Sequence, residues 1–191
     1  MQQQELLELL KETGVYTTGH FRLSSGRHSG EYLQCAHLLQ WPDKTELVAR
    51  AMADQLAALR PDTVIGPALG GIVIAYELAR ALGARAIFAE RDSDNQMSLR
   101  RGFALQPAEK VLVVEDVVTT GGSVQEVLDL LAGLAVEVVG VTSIIDRSNG
   151  AVDFGVPFFP LLTMPVRSYP PEECPLCQSG IELTKPGSRK Y

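Results

Sequence analysis

Two adjacent carboxylates, Glu115 and Asp116, end the apolar run Val111-Leu-Val-Val and are followed at once by Val117-Val118-Thr119-Thr120-Gly121-Gly122-Ser123. Glycines let the backbone come close to a ligand, several N–H groups converge there, and a helix opening at Ser123 adds partial positive charge. Such a turn suits a phosphate. No lysine follows the glycines, so this is not the GxxxxGK[ST] loop of nucleoside triphosphatases. The carboxylates upstream repel phosphate but accept hydrogen bonds from vicinal hydroxyls, as acidic residues do with ribose in dinucleotide folds. An anion nest beside two hydroxyl acceptors reads as a site for a phosphorylated sugar with free hydroxyls. Without the acid pair, the Thr-Thr-Gly-Gly-Ser stretch reads equally well as a helix cap.

Three further groups carry candidate chemistry. Gly66-Pro-Ala-Leu69-Gly70-Gly71 is a second strand-to-helix turn whose backbone N–H groups suit a second anion, or else a tight packing turn. Arg91, Arg100 and Arg101 concentrate positive charge at the two ends of a polar stretch, 91–102, in a chain of net charge −6. A stretch of that kind is a binding loop or lid, or a solvated charged loop. Arg147, at the end of a strand, offers the planar fork that a carboxylate wants; its plainer reading is a surface salt bridge.

The histidines and cysteines say less. His20, His28 and His37 fall within eighteen residues, without the spacing of a known zinc site. His20 reads as a packing or turn residue and His28 as a contact of the N-terminal segment that holds it. Cys174-Pro-Leu-Cys177 has metal-ligand spacing, but a tetrahedral site needs two more ligands. Cys35 or a second subunit's pair are sources for them. A turn carrying free thiols is the favoured reading.

The elements that must position these residues follow from the hydrophobic pattern. Residues 5–13 form a short amphipathic helix stopped at Gly14. Residues 17–41 are turn-rich, with no helical period. Asp43 and Glu46 have capping-box spacing at the start of a helix whose buried stripe is Val48, Met52, Leu56 and Leu59; Trp41-Pro42 before it reads as core packing. Strands are expected at 63–66, 86–90, 110–115 and 136–145, with helices at 72–82 and 123–134. Continuous apolar strands alternating with helices specify an α/β fold, a parallel sheet covered on both faces, with ligands at the carboxyl ends of the strands. From residue 157 the chain reads as an extended strand and an irregular end.

Composition narrows the class. The chain has 191 residues, 46% of them hydrophobic and 21% charged, which suits a single globular domain. No apolar run reaches the ~20 residues of a membrane span. The start, Met1-Gln-Gln-Gln-Glu, resembles no secretory signal. Three cysteines fit a reducing cytoplasm, and a net charge of −6 argues against nucleic acid as a partner.

The segment Val111–Ser123 resembles the thirteen-residue phosphoribosyl-diphosphate (PRPP) signature of the type I phosphoribosyltransferases. Gly19-His-Phe-Arg-Leu-Ser24-Ser-Gly-Arg-His-Ser29 with Tyr32-Leu-Gln-Cys is similar to the N-terminal hood segment of the orotate branch. Gly66–Gly71 resembles its pyrophosphate loop, Glu90-Arg91 with Met97–Gly102 its mobile catalytic loop, and Ile145-Asp-Arg147 its orotate-contacting segment. The resemblance covers nearly the whole chain in order. It departs from the enteric pattern where that has lysines: Ser24 in the hood, Gly70 in the pyrophosphate loop, and a loop whose cations are Arg91, Arg100 and Arg101.

The resemblance implies a type I phosphoribosyltransferase fold over residues 1–191, with a hood from about 14–41 and 166–191 and a core of about 42–165. It implies that PRPP is held by Leu69, Gly70 and Glu115 through Ser123, and that orotate is held by Thr119, Arg147, Ser24 and Tyr32. Arg91, Arg100 and Arg101 act on the leaving pyrophosphate. Mg²⁺ is expected on PRPP without a dense protein cage, and the loop of one subunit is expected to reach the neighbour's site in a homodimer. The activity implied is transfer of the phosphoribosyl group from PRPP to orotate in pyrimidine biosynthesis. Two other readings stay open: a PRPP-sensing regulator, which would want a basic nucleic-acid-binding surface, and a sister enzyme acting on another base.

Overall fold

The computed structural model describes residues 1, 3–23 and 25–186. Its centre is a six-stranded sheet of β3 (Thr63–Pro67), β4 (Arg85–Arg91), β5 (Met97–Ser98), β6 (Lys110–Val118), β7 (Glu137–Asp146) and β8 (Phe158–Thr163), in the order β5-β4-β3-β6-β7-β8. Every pairing is parallel except β4–β5, where Arg91 pairs with Met97 and Glu90 with Ser98. The polar stretch after Glu90, expected as an open loop, thus begins as a hairpin. Asp92 accepts from the N–H groups of Asp94 and Gln96 and closes it, a turn made by a short acceptor side chain.

Side-chain alternation along the strands separates two cores. Val64, Leu112, Val114 and Ile144 face one side, against α1 (Gln3–Glu12), α3 (Pro42–Leu56) and α4 (Gly70–Leu82). Ile65, Val111, Val113 and Val141 face the other, against Val124, Val127, Leu128 and Leu131 of α5 (Gly122–Ala132). The α/β class and the covering of both faces are as expected. Among the described residues, no helix is long and apolar enough to cross a membrane.

Local expectations fail at three places. The capping box does not form: Pro42 takes the first helical position of α3 after Trp41, which gives no side-chain cap, and Glu46 pairs instead with Arg50 and Arg80. Proline's fixed φ starts the helix two residues earlier than that box would. Trp41 is 50% exposed, with Lys44 6.0 Å from its ring, and is not core. Leu59 lies in a 3-10 turn after α3 and is only partly buried.

The stretch 17–41 holds more order than its composition suggests. An antiparallel pair, β1 (Tyr16–Arg22) and β2 (His28–Leu33), is followed by α2 (Ala36–Leu39). The tail brackets this pair on both edges. His28 and Tyr169 exchange both backbone hydrogen bonds at 2.8 Å, and on the other edge Arg22 N–H donates to the Thr184 carbonyl at 2.8 Å. The tail carries α6 (Pro175–Gln178) between these contacts.

Candidate active site

β6 delivers the acid pair and the phosphate turn together. The strand runs to Val118, three residues beyond the expected end, because Val117 and Val118 still pair with Ile145 and Asp146 of β7. Gly121 then has φ +77°, and a Cβ there would come within 2.8 Å of Val152 Cγ1 and 2.9 Å of Phe154 Cε1. A side chain is excluded on both counts. The result is an open concavity of about 270 Å³ lined by Glu115 and the residues from Val117 to Val124. Its floor is the α5 N-terminus, where unpaired N–H groups and the helix dipole favour an anion.

The two carboxylates differ. Glu115 is 8% exposed, and burial, followed by the negative charge of Asp116, pushes its carboxyl up to about 9. It is therefore protonated near neutral pH when no ligand is bound. Asp116 is half-buried, and its Oδ1 accepts from the Val117 N–H at 2.8 Å. The carboxylate also lies against the second turn: a Cβ on Gly70 would stand 2.9 Å from Asp116 Oδ1. Gly70 opens α4, so any side chain there has to displace Asp116. Leu69, just before it, is 83% exposed and follows a cis peptide bond, Ala68–Leu69.

Arg147 lies directly after β7, its backbone N–H donating to the Val118 carbonyl at 2.8 Å. Its side chain is half-buried, yet its Nε has no hydrogen-bond partner among the described residues. Burial pulls the guanidinium below its ordinary value, while Tyr32 and Glu31 of β2 act in the opposite direction. A buried, unpaired cation is costly unless a ligand completes it. The plain salt bridge is not what forms here. Tyr32 and Arg147 are thus neighbours, Thr119 is exposed on the turn, and Ser24 lies outside the described residues.

The loop arginines are dispersed. Arg91 makes a two-pronged ion pair with Glu126 of α5 at 2.8 and 3.0 Å, and Arg101 one with Glu90 at 3.0 and 3.1 Å. Arg101 also lies 5.6 Å from the Phe88 ring. Arg100 is exposed. None of the three contacts the phosphate turn in this arrangement. Glu90 and Glu126 are therefore partners that spacing did not reveal: the Arg91 pair depends on how α5 docks on the sheet, and the Arg101 pair on how the loop folds back onto β4.

The cysteines also find partners that their spacing did not reveal. Cys174 and Cys177 converge on His20 and His28, all four donor atoms lying within 4.8 Å of one another. Neither Cys35 nor a second subunit is needed to bring four ligand atoms together; both cysteines are free thiols, as the sequence suggested, and they face two histidines that the spacing did not connect to them.

A family model described as phosphoribosyl transferase domain matches residues 35–154, which contain both turns, the loop and Arg147. A relative from Caldanaerobacter subterraneus subsp. tengcongensis, named orotate phosphoribosyltransferase, is 54% identical over 190 residues, covering 100% of both chains. The chain belongs to the phosphoribosyltransferase family. Within this family, it is similar to the crystal structure of orotate phosphoribosyltransferase from Aeropyrum pernix, with TM-score 0.72 and 26% identity over 83% of this chain and 93% of that one. Adenine phosphoribosyltransferase from Rhodothermus marinus shares the fold, with TM-score 0.67 at 19% identity over 84% of this chain and 99% of that one. The fold is thus shared by proteins named for different bases.

Proposed function

We infer that this chain is an orotate phosphoribosyltransferase, transferring the phosphoribosyl group from PRPP to orotate and releasing orotidine 5′-monophosphate and pyrophosphate. Full-length relatives of that name at 50–54% identity support the reading. The observation that carries the choice of base is Arg147: a half-buried guanidinium with an unpaired Nε, tied by its own backbone to the phosphate turn. Orotate's carboxylate matches the missing partner, whereas adenine and uracil bring no such anion.

The turn Val118–Ser123 takes the 5-phosphate, and Glu115 and Asp116 face the ribose hydroxyls. The orotate ring nitrogen attacks the anomeric carbon as pyrophosphate departs, so no protein nucleophile is required and catalysis is positioning and electrostatics. Leu69 and Gly70 approach the pyrophosphate through backbone N–H groups at the start of α4. Two carboxylates at the end of β6 fit a hard, oxygen-seeking Mg²⁺ that keeps most of its ligands from substrate and water. When bound, Mg²⁺ neutralises the pyrophosphate oxygens.

The functional unit is a single domain, the hood of about 14–41 and 166–191 standing over a core of about 42–165, and its working form is a homodimer. Leu69, Val73 and Tyr76, spaced to share one helical face, are 83%, 42% and 64% exposed. An exposed apolar face beside the active site is a natural subunit contact. In that dimer the loop carrying Arg100 and Arg101 covers the neighbour's pyrophosphate, with Arg91 at its base. A substrate panel of orotate, uracil, xanthine and adenine with PRPP tests the assignment. Turnover of orotate alone is expected, and preferential use of another base would overturn it.

A further inference from the structure

We propose that His20, His28, Cys174 and Cys177 form a closed tetrahedral zinc site that fastens the C-terminal tail to the β1–β2 hairpin. The distances carry the argument. His20 Nε2 lies 3.2 Å from His28 Nδ1, 3.4 Å from Cys174 Sγ and 3.6 Å from Cys177 Sγ, and Cys177 Sγ lies 3.3 Å from His28 Nδ1. Zinc bonds of about 2.0–2.1 Å to nitrogen and 2.3 Å to sulfur, set at tetrahedral angles, require ligand separations of about 3.3 Å for N···N and 3.5 Å for N···S. The four observed separations fall close to these values.

Protonation points the same way. His20 Nδ1 is 2.7 Å from the Ile181 carbonyl oxygen. A carbonyl only accepts, so that nitrogen carries the proton and Nε2 presents its lone pair to the other three donors. Metal-binding histidines are held by this kind of outer hydrogen bond. Three of the four residues are buried, His20 at 2%, His28 at 5% and Cys174 at 0% exposure, and both cysteines are free thiols. Two thiolates balance a divalent charge, and an S₂N₂ tetrahedral set favours zinc over magnesium or calcium. With four protein ligands no coordination position stays open for substrate, so the role is structural.

The backbone is shaped to assemble this set. The pairing register slips by one residue between Thr18 and Phe21. In the register that pairs Arg22 with His28, side-chain alternation puts His20 on the same face as His28, and the slip lies on the Thr18 side of this pair. Cys174 and Cys177, three apart across the first turn of α6, share one side of that turn. The site sits between the two edge contacts of the tail at Tyr169 and Thr184. It therefore fixes the hairpin that carries Tyr32.

The test uses the full chain, expressed with zinc and purified without chelator. About one zinc per chain by elemental analysis is expected, and cobalt in its place should give the ligand-field bands of a tetrahedral ion with thiolate charge transfer. Cys177 is exposed, so Cys177→Ala folds and is expected to lose the metal. His20→Ala is expected to lose it as well, with a lower melting temperature that added zinc no longer raises. A wild-type chain that retains no zinc after anaerobic reconstitution overturns the proposal. So does an octahedral cobalt spectrum, or wild-type zinc content in Cys177→Ala. Metal content is read without any turnover, so these outcomes are separate from those of the substrate panel.

Discussion

The Arg147 N–H and the Val118 carbonyl are joined by a 2.8 Å hydrogen bond at the point where β6 and β7 both end. One residue begins the glycine turn and the other carries the guanidinium with an unpaired Nε, so two neighbouring strands set the separation of these two groups, which the proposed function reads as the sugar-phosphate and base subsites. Parallel strands delivering ligand groups at their carboxyl ends are the general arrangement of open α/β sheets. Here a single peptide hydrogen bond keeps the two subsites in step.

Arg147→Ala is expected to damage orotate binding far more than PRPP binding, because the lost cation faces the base and the Val118 hydrogen bond is made by the backbone. Calorimetric titration of each ligand separately checks this. Equal losses for both would move Arg147 to the sugar site or the scaffold.

Asp116→Asn removes charge while keeping shape and the Val117 contact. PRPP use is expected to fall by a factor on the order of ten to a thousand, about 1.5–4 kcal/mol in transition-state binding. Steady-state kinetics with a folded variant measure it, and unchanged PRPP kinetics would remove Asp116 from the ribose site.

Glu115 makes stability depend on pH. Its folded value is about 9, against an ordinary carboxyl value of about 4.3. Across that window the folded chain holds a proton that the unfolded chain has released, so this group makes the unliganded protein less stable as pH rises. Glu115→Gln removes that dependence and is expected to be more stable than wild type near pH 8.5, with a smaller gain near pH 6. Thermal melts of both proteins at the two pH values decide it. Parallel wild-type and variant curves would mean that Glu115 is ionised in the free protein.

Gly121→Ala forces a Cβ against Val152 and Phe154 at a positive φ. A stability loss of about 1–3 kcal/mol is expected, together with weakened binding of PRPP and orotidine 5′-monophosphate alike, since both present the same 5-phosphate. A variant that melts lower yet binds both ligands normally would show the turn to be structural.

The dimer and the loop are tested together by mixing Arg100→Ala/Arg101→Ala with Asp116→Asn. Each parent is nearly inactive by expectation, and a heterodimer holds one site with both parts intact. Random exchange between two-fold dimers gives about half heterodimers and recovery to about a quarter of wild-type activity. Verified heterodimers without recovery would place the loop over its own chain's site.

The acid pair, the glycine turn and the alternation of strands and helices were legible in the sequence because each is local. An apolar run ending in Glu115-Asp116, adjacent glycines after it and a 3.6-residue stripe on α5 all fall within about twenty residues. Contacts between distant segments were not legible. Arg91 with Glu126, Arg101 with Glu90 and Asp116 over Gly70 depend on how helices dock on the sheet, and no spacing encodes that. The four-residue cluster shows the division most clearly. Cys174-Pro-Leu-Cys177 has metal-ligand spacing, yet a turn with free thiols is the favoured reading of the sequence because two further ligands are not in sight. Two histidines eight residues apart share one face of the hairpin and are brought to the cysteines by a tail that pairs across about 140 residues of chain. The register of such a hairpin leaves almost no compositional trace, so only the folded hairpin decided where His20 points.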